Sequence, residues 1–492
     1  MSNQVTDWSK PQRQSASALI ILLFKAFFSL LKVLWPLLIV LILNKKGNSA
    51  NGYEYFALGI SVLSLLRSAI EYYNFRFSIT GNNLVIKSGL FTKKTIVLPL
   101  DKIQAVHAEQ TWLHSLFNVS RLSFDSAGSE KTEVRIEALD KLRTTALKEF
   151  ILPNKSETTA VENKTRPEKE ETLITLAGND ILKLGLSSNH IEAFFLIAAF
   201  IYSTLSSAGM SDKELAGGAK WVYDNFGKSS INLALFLAMA VLLISISVSI
   251  IKILLTYSDF VISRSAGGYR IKSGLITKKE KFVPFKKIQF ISWKANWVRQ
   301  KIGLFLLQFH AVGNDQIRAK MQIKVPVTRK SFIPLLLKEY HSLLPVAAIP
   351  AIHVHKAYIF RRALVFGILP SLILFPFLFS YFQFNSLLIL LLAGFVGLSA
   401  FLFQKKFRLW IDKEALQIKK GEWGRHELIL KWNNIQSILI KQSVYQRKQE
   451  LATLCLNTAG GKITIPYIQL QQAREIQNYC LYKIESSYEN WY

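Results

Sequence analysis

Cysteine is almost absent: the 492 residues hold two, Cys455 and Cys480. That excludes a disulfide scaffold and any zinc site built mainly on thiolates. Acidic residues are scarce as well, 33 against 61 Lys+Arg, leaving a formal charge of +28. Charged residues make up only 19% of the chain and hydrophobic ones half of it, the reverse of what disorder requires. Catalytic signatures are also missing. There is no Gly-rich phosphate loop, no HExxH and no GxSxG elbow. The two thiols have no evident histidine partner, and His353-x-His355 lacks further ligands at metal spacing. No catalytic residues, cofactor or metal site are expected, and the chain is not expected to be an enzyme.

What the chain has instead is apolar sequence in long runs. A bilayer span needs about 20 mainly apolar residues. Six stretches come close: Ala16–Leu43, Tyr55–Tyr73, Ile191–Ala208, Ile231–Leu255, Ala363–Phe382 and Leu387–Phe403. They fall in pairs with short links, which predicts six transmembrane helices in three hairpins. The first is too long for a signal peptide, and Leu43-Asn44-Lys45-Lys46 is not a small-residue cleavage site. The long polar segments carry most of the basic residues; Tyr257 to His341 has seventeen against four acids. The positive-inside rule therefore predicts a cytoplasmic-membrane protein whose N-terminus, C-terminus and long segments are cytoplasmic. Two free cysteines in the last segment fit a reducing compartment.

Four charges fall within the first two spans. Lys25 and Lys32 are seven apart and share a helix face. Either they snorkel from a helix start lying in the interface, or they form a polar face inside the bundle. Arg67 and Glu71 are i,i+4 partners near the end of the second span. Pro36, Pro370 and Pro376 are positioned to kink their helices.

The polar segments repeat one another. Ile86-Lys87-Ser88-Gly89-Leu90-Phe91-Thr92-Lys93-Lys94 recurs as Ile271-Lys272-Ser273-Gly274-Leu275-Ile276-Thr277-Lys278-Lys279, and more distantly as Ile418-Lys419-Lys420-Gly421-Glu422-Trp423-Gly424. An Ile-Gln pair follows each at constant spacing: Ile103-Gln104, Ile288-Gln289 and Ile435-Gln436. A glycine follows each pair in turn: Gly128, Gly313 and Gly460. One domain fold is used three times, each copy preceded by a helix hairpin. Alternating apolar and polar residues, as in Phe75–Thr80, Leu84–Lys87 and Thr95–Leu98, predict half-buried strands separated by turns. Each copy ends in an amphipathic helix. About six or seven strands and a helix make a small bent sheet or barrel.

These features resemble the membrane-flanked bacterial PH-like domain proteins of the YdbS/YdbT type. The chain as a whole is similar to the longer, three-domain YdbT-like members. The resemblance implies a PH-like fold for each polar unit and carries over no ligand or catalytic residue. The fold class expected is thus an α+β multi-pass membrane protein, three hairpins each followed by a small PH-like β-barrel or bent sheet with a C-terminal helix. The divisions expected are hairpin 1 at 16–73, PH-like domain 1 at 74–152 and a disordered linker at 153–172. An amphipathic lead-in with hairpin 2 at 173–256 and PH-like domain 2 at 257–341 come next. A juxtamembrane segment with hairpin 3 at 342–404 and PH-like domain 3 at 405–486 complete the chain.

The basic turns are the candidate binding residues. Lys93 and Lys94, and Lys278 and Lys279, follow the glycine turn at the edge of a sheet. They are either a solvated hairpin end that blocks strand pairing or contacts for anionic headgroups. Lys278, Lys279, Lys281, Lys286 and Lys287 cluster within ten residues. Tethering to a bilayer makes anionic membrane lipids the expected partner and nucleic acid an unexpected one. A membrane protein, such as a smaller family member, is the other candidate partner. Trp112 and Trp297 hold matching places after the Ile-Gln pair. They are read as core or inter-domain packing, with an interface anchor as the alternative. The function expected is a lipid-headgroup- or protein-binding scaffold in envelope function, stress defence or export. The alternative is a transporter or lipid-handling machine that uses Lys25, Lys32, Arg67 and Glu71.

Overall fold

Repeated sequence gives repeated structure, but the repeats do not close on themselves. The computed structural model describes residues 7–43, 53–89, 92–126, 134–151, 171–207, 217, 228–265, 267–311, 323–344, 346 and 348–486. The chain divides into two bodies, Met1–Phe282 and Val283–Tyr492, and the boundary falls inside the second repeat.

In the first body, α1 (Ser17–Leu43) packs on α2 (Tyr53–Asn74). Strands β1 (Arg76–Thr80), β2 (Asn83–Ser88) and β3 (Lys94–Pro99) then form an antiparallel meander. Strands β4 (Ile103–Gln110), β5 (Val119–Ser126) and β6 (Val134–Asp140) form a second one, with α3 (Trp112–Leu116) after β4 and α4 (Lys141–Ile151) after β6. Period-2 alternation puts Phe77, Ile79, Leu84 and Ile86 of the first half and Leu122 and Phe124 of the second into one buried core. The foot of α1 is docked on this repeat: Ala18 and Ile21 are buried with Leu113, Val119 and Ala138.

The second repeat begins earlier than expected. Glu171 and Thr172, assigned to the linker, and Leu173, assigned to a helix-like lead-in, belong to strand β7 (Glu171–Thr175). Only then comes the amphipathic α5 (Gly178–Leu186), followed by α6 (Ile191–Ser207) and α7 (Lys228–Tyr257). The rest of the linker, 153–170, lies outside the described residues. Strands β8 (Val261–Ser265), β9 (Gly268–Ser273) and β10 (Lys278–Pro284) make the next meander, and β7 adds to its edge through β8. The same device opens the other repeats. Gln12 exchanges both backbone hydrogen bonds with Phe77 of β1 (2.7 and 3.0 Å). Each hairpin is thus bracketed by paired backbone on both sides of its base.

The second body holds β11 (Ile288–Ala295), α8 (Trp297–Lys301), β12 (Leu304–Ala311), β13 (Ile323–Arg329) and α9 (Ile333–Leu337). The third hairpin follows as α10 (Ala357–Ala363), a π-helical turn at Leu364–Ile368, α11 (Leu369–Phe382) and α12 (Ile389–Lys406). The π turn comes just before Pro370, whose ring cannot supply an N–H to an α-helical ladder. It also holds Gly367, where an added Cβ would lie 3.0 Å from Ala393 Cα, a close helix approach of the kind small residues permit. Strands β14 (Arg408–Ile411), β15 (Ala415–Lys420), β16 (Arg425–Lys431) and β17 (Ile435–Lys441) come next. The chain closes with α13 (Val444–Lys448), β18 (Leu451–Thr458), β19 (Gly461–Gln469) and α14 (Leu470–Ser486). Ile352 pairs with Leu409 of β14, as Gln12 does with Phe77.

The sheets run in the orders β1-β2-β3, β6-β5-β4-β10-β9-β8-β7, β13-β12-β11-β16-β15-β14 and β17-β18-β19. The second half of one repeat therefore pairs, edge to edge, with the first half of the next. This differs from three independent small barrels. It also corrects the reading of Lys278 and Lys279 as edge lysines that block pairing, since both lie in the paired register of β10 with β4. A fragment spanning Tyr257–His341 would carry halves of two different sheets.

Among the described residues three helices are long and apolar enough to cross a membrane: Ala238–Tyr257, Ala357–Ser380 and Ser386–Lys406. The other three expected spans coincide with α1, α2 and the 17-residue α6.

Candidate functional site

The sites of interest gather where the sheets meet the feet of the apolar helices. Each glycine turn sits there. Gly89, Gly274 and Gly421 have φ of 132°, 103° and 139°, and such values suit only glycine. Gly274 N–H donates to Ser258 O (2.7 Å) and Leu275 N–H to Leu255 O (3.0 Å), which ties the turn to the end of α7. Leu275 and Ile276 at its tip are exposed. In the third repeat the turn is held more firmly. Lys406 Nζ donates to Glu422 O (2.7 Å), Arg362 pairs with the Glu422 carboxylate (2.6 Å), and Trp423 stacks on Phe395 of α12.

Trp112 and Trp297 open α3 and α8, capped by the side chains of Thr111 and Asn296. They are not core: Trp112 is 50% and Trp297 60% exposed. Trp112 meets Phe24 of α1 edge-on at 5.4 Å, and Lys301 lies 4.1 Å over the Trp297 ring. The exposed indole of Trp112 beside the foot of α1 fits the interface-anchor alternative.

The candidate lysines separate into two kinds. Lys93, Lys94, Lys278 and Lys286 are exposed, while Lys281 is half-buried and Lys287 buried. Lys279 is drawn into the first seam between repeats, its ammonium 3.5 Å from Glu109. Around it Arg121 bridges Glu109 and Glu137, at 3.2 and 2.9 Å. Glu280 takes Lys148 and Arg270, at 3.2 and 3.6 Å. Carboxylates lie between the cations of this seam, so Lys279 is engaged by protein.

Of the charges within the expected spans, Lys25 reaches Glu137 on β6 at 3.7 Å, and Arg67 and Glu71 are exposed. The Lys32 side chain lies outside the described residues. Two arginines that the sequence reading passed over prove central to the third repeat. Arg361 donates to Ser443 Oγ (2.8 Å) and Tyr467 Oη (2.7 Å), and Arg362 donates to Tyr358 Oη (2.6 Å) besides pairing with Glu422. Their signal was visible as the only adjacent arginine pair in the chain, at the foot of an apolar helix.

No cluster of three metal-ligating side chains occurs among the described residues. Cys455 and Cys480 are buried thiols, and burial pushes Cys480 up to about 11. The thiolate, the reactive form of cysteine, is thereby suppressed.

The profile of a family described as the bacterial PH domain matches this chain three times, over residues 19–155, 218–340 and 345–484. The chain is 24% identical over 476 residues to the UPF0699 transmembrane protein YdbT of Bacillus subtilis (strain 168), covering 91% of this chain and 92% of that one.

Proposed function

The chain belongs to the bacterial PH domain family, and on that premise we propose that this membrane protein is a scaffold of the cytoplasmic membrane whose three PH repeats face the cytosol and bear on the headgroup layer. The observation that carries the reading is the placement of the glycine turns and exposed indoles at the feet of the apolar helices. Leu275, Ile276, Trp112 and Trp423 lie there with exposed lysines, apolar tips and cations together. A bilayer surface rewards that combination, since indoles favour the interface and each lysine near an anionic leaflet gains about 1 kcal/mol. The excess of basic residues in the polar segments supports the cytosolic side.

The transport alternative gains no support from the charges named for it. Lys25 turns to a sheet residue, which fits an interfacial helix start. We assign the chain no catalytic step.

Topology is testable because both native thiols are buried. Lys94→Cys is introduced in the full chain and exposed to a membrane-impermeant maleimide. Labelling only after permeabilisation is expected; labelling of intact cells would overturn the cytosolic assignment. Headgroup contact is tested on the full chain in nanodiscs of neutral or anionic lipid. Anionic lipid is expected to shield Lys278 and Lys286 from amine acetylation, and equal reactivity in both would refute it.

A further inference from the structure

The two seams between repeats are built alike and charged differently. Repeat spacing aligns Glu109 with Lys294, Lys279 with His426, Asp125 with His310 and Ser273 with Lys420. The strand registers agree: Glu109 faces Lys279 across the first seam, and Lys294 faces His426 across the second. The first row reads Arg121, Glu109, Lys279, an anion between two cations. The second, across β11, β16 and β15, reads Lys294, His426, Lys420. Like charges at opposed positions weaken a sheet, and here two lysines flank a histidine with no carboxylate in the row. The fold does not require them, because the first seam closes with a carboxylate in the row. Nor are they neutralised: among the described residues no carboxylate pairs with Lys294, His426, Lys420 or Lys324.

The surroundings are those of a formed site. Phe290, Ser292 and Lys294 alternate onto one face of β11, opposite His310, Gln308 and Leu306 of β12. Ser292 and Gln308 form a buried floor. His310 stacks on Phe290 at 3.9 Å, with its Nε2 2.9 Å from Ser292 Oγ. Lys324 faces Gln308 from β13. Burial first, and then the neighbouring cations, lower both imidazoles to about 4. Burial lowers Lys420, and burial followed by Lys324 and Arg299 lowers Lys294. At neutral pH both imidazoles are therefore uncharged among the lysines, Lys294 and Lys324 are exposed, and an anion bound between the ammoniums would relieve the repulsion that remains.

We propose that Lys294, Lys420, His426 and Lys324, backed by His310 and Ser292, form a binding site for a phosphate-class oxyanion. The lysines supply ammonium donors, and the imidazoles become cationic donors once an anion is bound. The row lies beside the Lys420–Arg425 turn, which Arg362 and Lys406 tie to the hairpin. That is the level at which the proposed function puts lipid phosphates. The site rests on that reading only for the source of the anion, a lipid headgroup or a soluble phosphate.

The test uses the full chain in neutral-detergent micelles. Thermal stability is followed while inorganic phosphate replaces chloride at constant ionic strength. A second series adds short-chain phosphatidylglycerol or the matching diacylglycerol, which has no phosphate. Saturable stabilisation is expected for the native chain and for Lys279→Gln. Lys294→Gln/Lys420→Gln is expected to bind about tenfold or more weakly for each lysine lost. Without ligand it should melt at or above the native temperature, because repulsion is relieved. Lys294→Arg/Lys420→Arg should retain binding. Stabilisation by phosphate alone would uphold the site with a soluble ligand and count against headgroup recognition there. Stabilisation by phosphatidylglycerol that persists in the Gln variant would overturn the site and leave headgroup contact standing. No saturable response to either anion would also overturn the site.

Discussion

Replacing Gly274 by alanine tests whether the glycine turns fix the sheets to the helices. A Cβ built there would lie 2.0 Å from Thr277 O and 3.0 Å from Thr277 C, with φ at +103°. The obstacle is backbone, so no rotamer change relieves it. Occupying such a region costs about 1–3 kcal/mol. Opening the turn also endangers the hydrogen bonds from Gly274 to Ser258 and from Leu275 to Leu255. At roughly 0.5–1.5 kcal/mol each, they bring the total to about 2–6 kcal/mol. Gly81→Ala is the matched control: its φ is +59°, but nothing lies within 4 Å of an added Cβ. That change should cost only about 1–2 kcal/mol. Hydrogen exchange of the full chain in micelles, read on peptides covering β9 and β10, reports local opening. Gly274→Ala should speed exchange there by about thirtyfold or more, with a smaller effect around Gly81 in the control. Equal effects in the two variants would refute the reasoning.

Other expectations follow from the seams. Lys279→Glu sets a carboxylate opposite Glu109, whereas Lys278→Glu faces Gln110, so the first should be less stable by about 0.5–1 kcal/mol in thermal melts. Tyr340 is buried, donates to Gln289 O (2.6 Å) and accepts from Lys431 N–H and Asn434 Nδ2, both at 3.0 Å. Tyr340→Phe should therefore cost about 1–3 kcal/mol in the same assay. His310 faces His426 and Lys294, His426 faces Lys420 and Lys294, and both imidazoles are lowered to about 4 in the fold. The unfolded chain takes up their protons near 6.5, so stability is full above that pH and falls as pH drops towards 4. By pH 5 the loss should be about 1–2 kcal/mol for each histidine, and His426→Gln should flatten the profile.

The repeat spacing made much of this legible. The Ile-Gln pairs open β4, β11 and β17, and the repeated glycines Gly89, Gly274 and Gly421 all have positive φ. Pairing between repeats was not legible. The Lys-Lys-Glu-Lys run of β10 is polar on both faces, which reads as a solvated edge, and its partner β4 lies some 170 residues away in sequence. A periodicity argument sees burial of faces, and this joint is made by backbone along an edge. Glu171–Thr175 was hidden for a similar reason, being a short strand at the end of a charged run and held by β8 across a hairpin. The size of Trp112 and Trp297 suggests core, while their exposure, and the place of Trp112 beside the foot of α1, appear only in three dimensions.

Joining repeats edge to edge obeys a conservation rule. Each added repeat consumes one exposed strand and supplies another of the same type, so the tally of open edges does not change with array length. The array is directional, like a polymer with unlike ends. Among the described residues its ends are β3, where Val97 is 55% exposed, and β17, where Leu439 is 46% exposed. At the second joint the corresponding positions, Ile429 and Ser292, are buried, and at the first joint Phe282 and His107 are partly so. Head and tail are thus shaped for each other's type of strand, and a repeat removed whole would leave two neighbours whose edges still match.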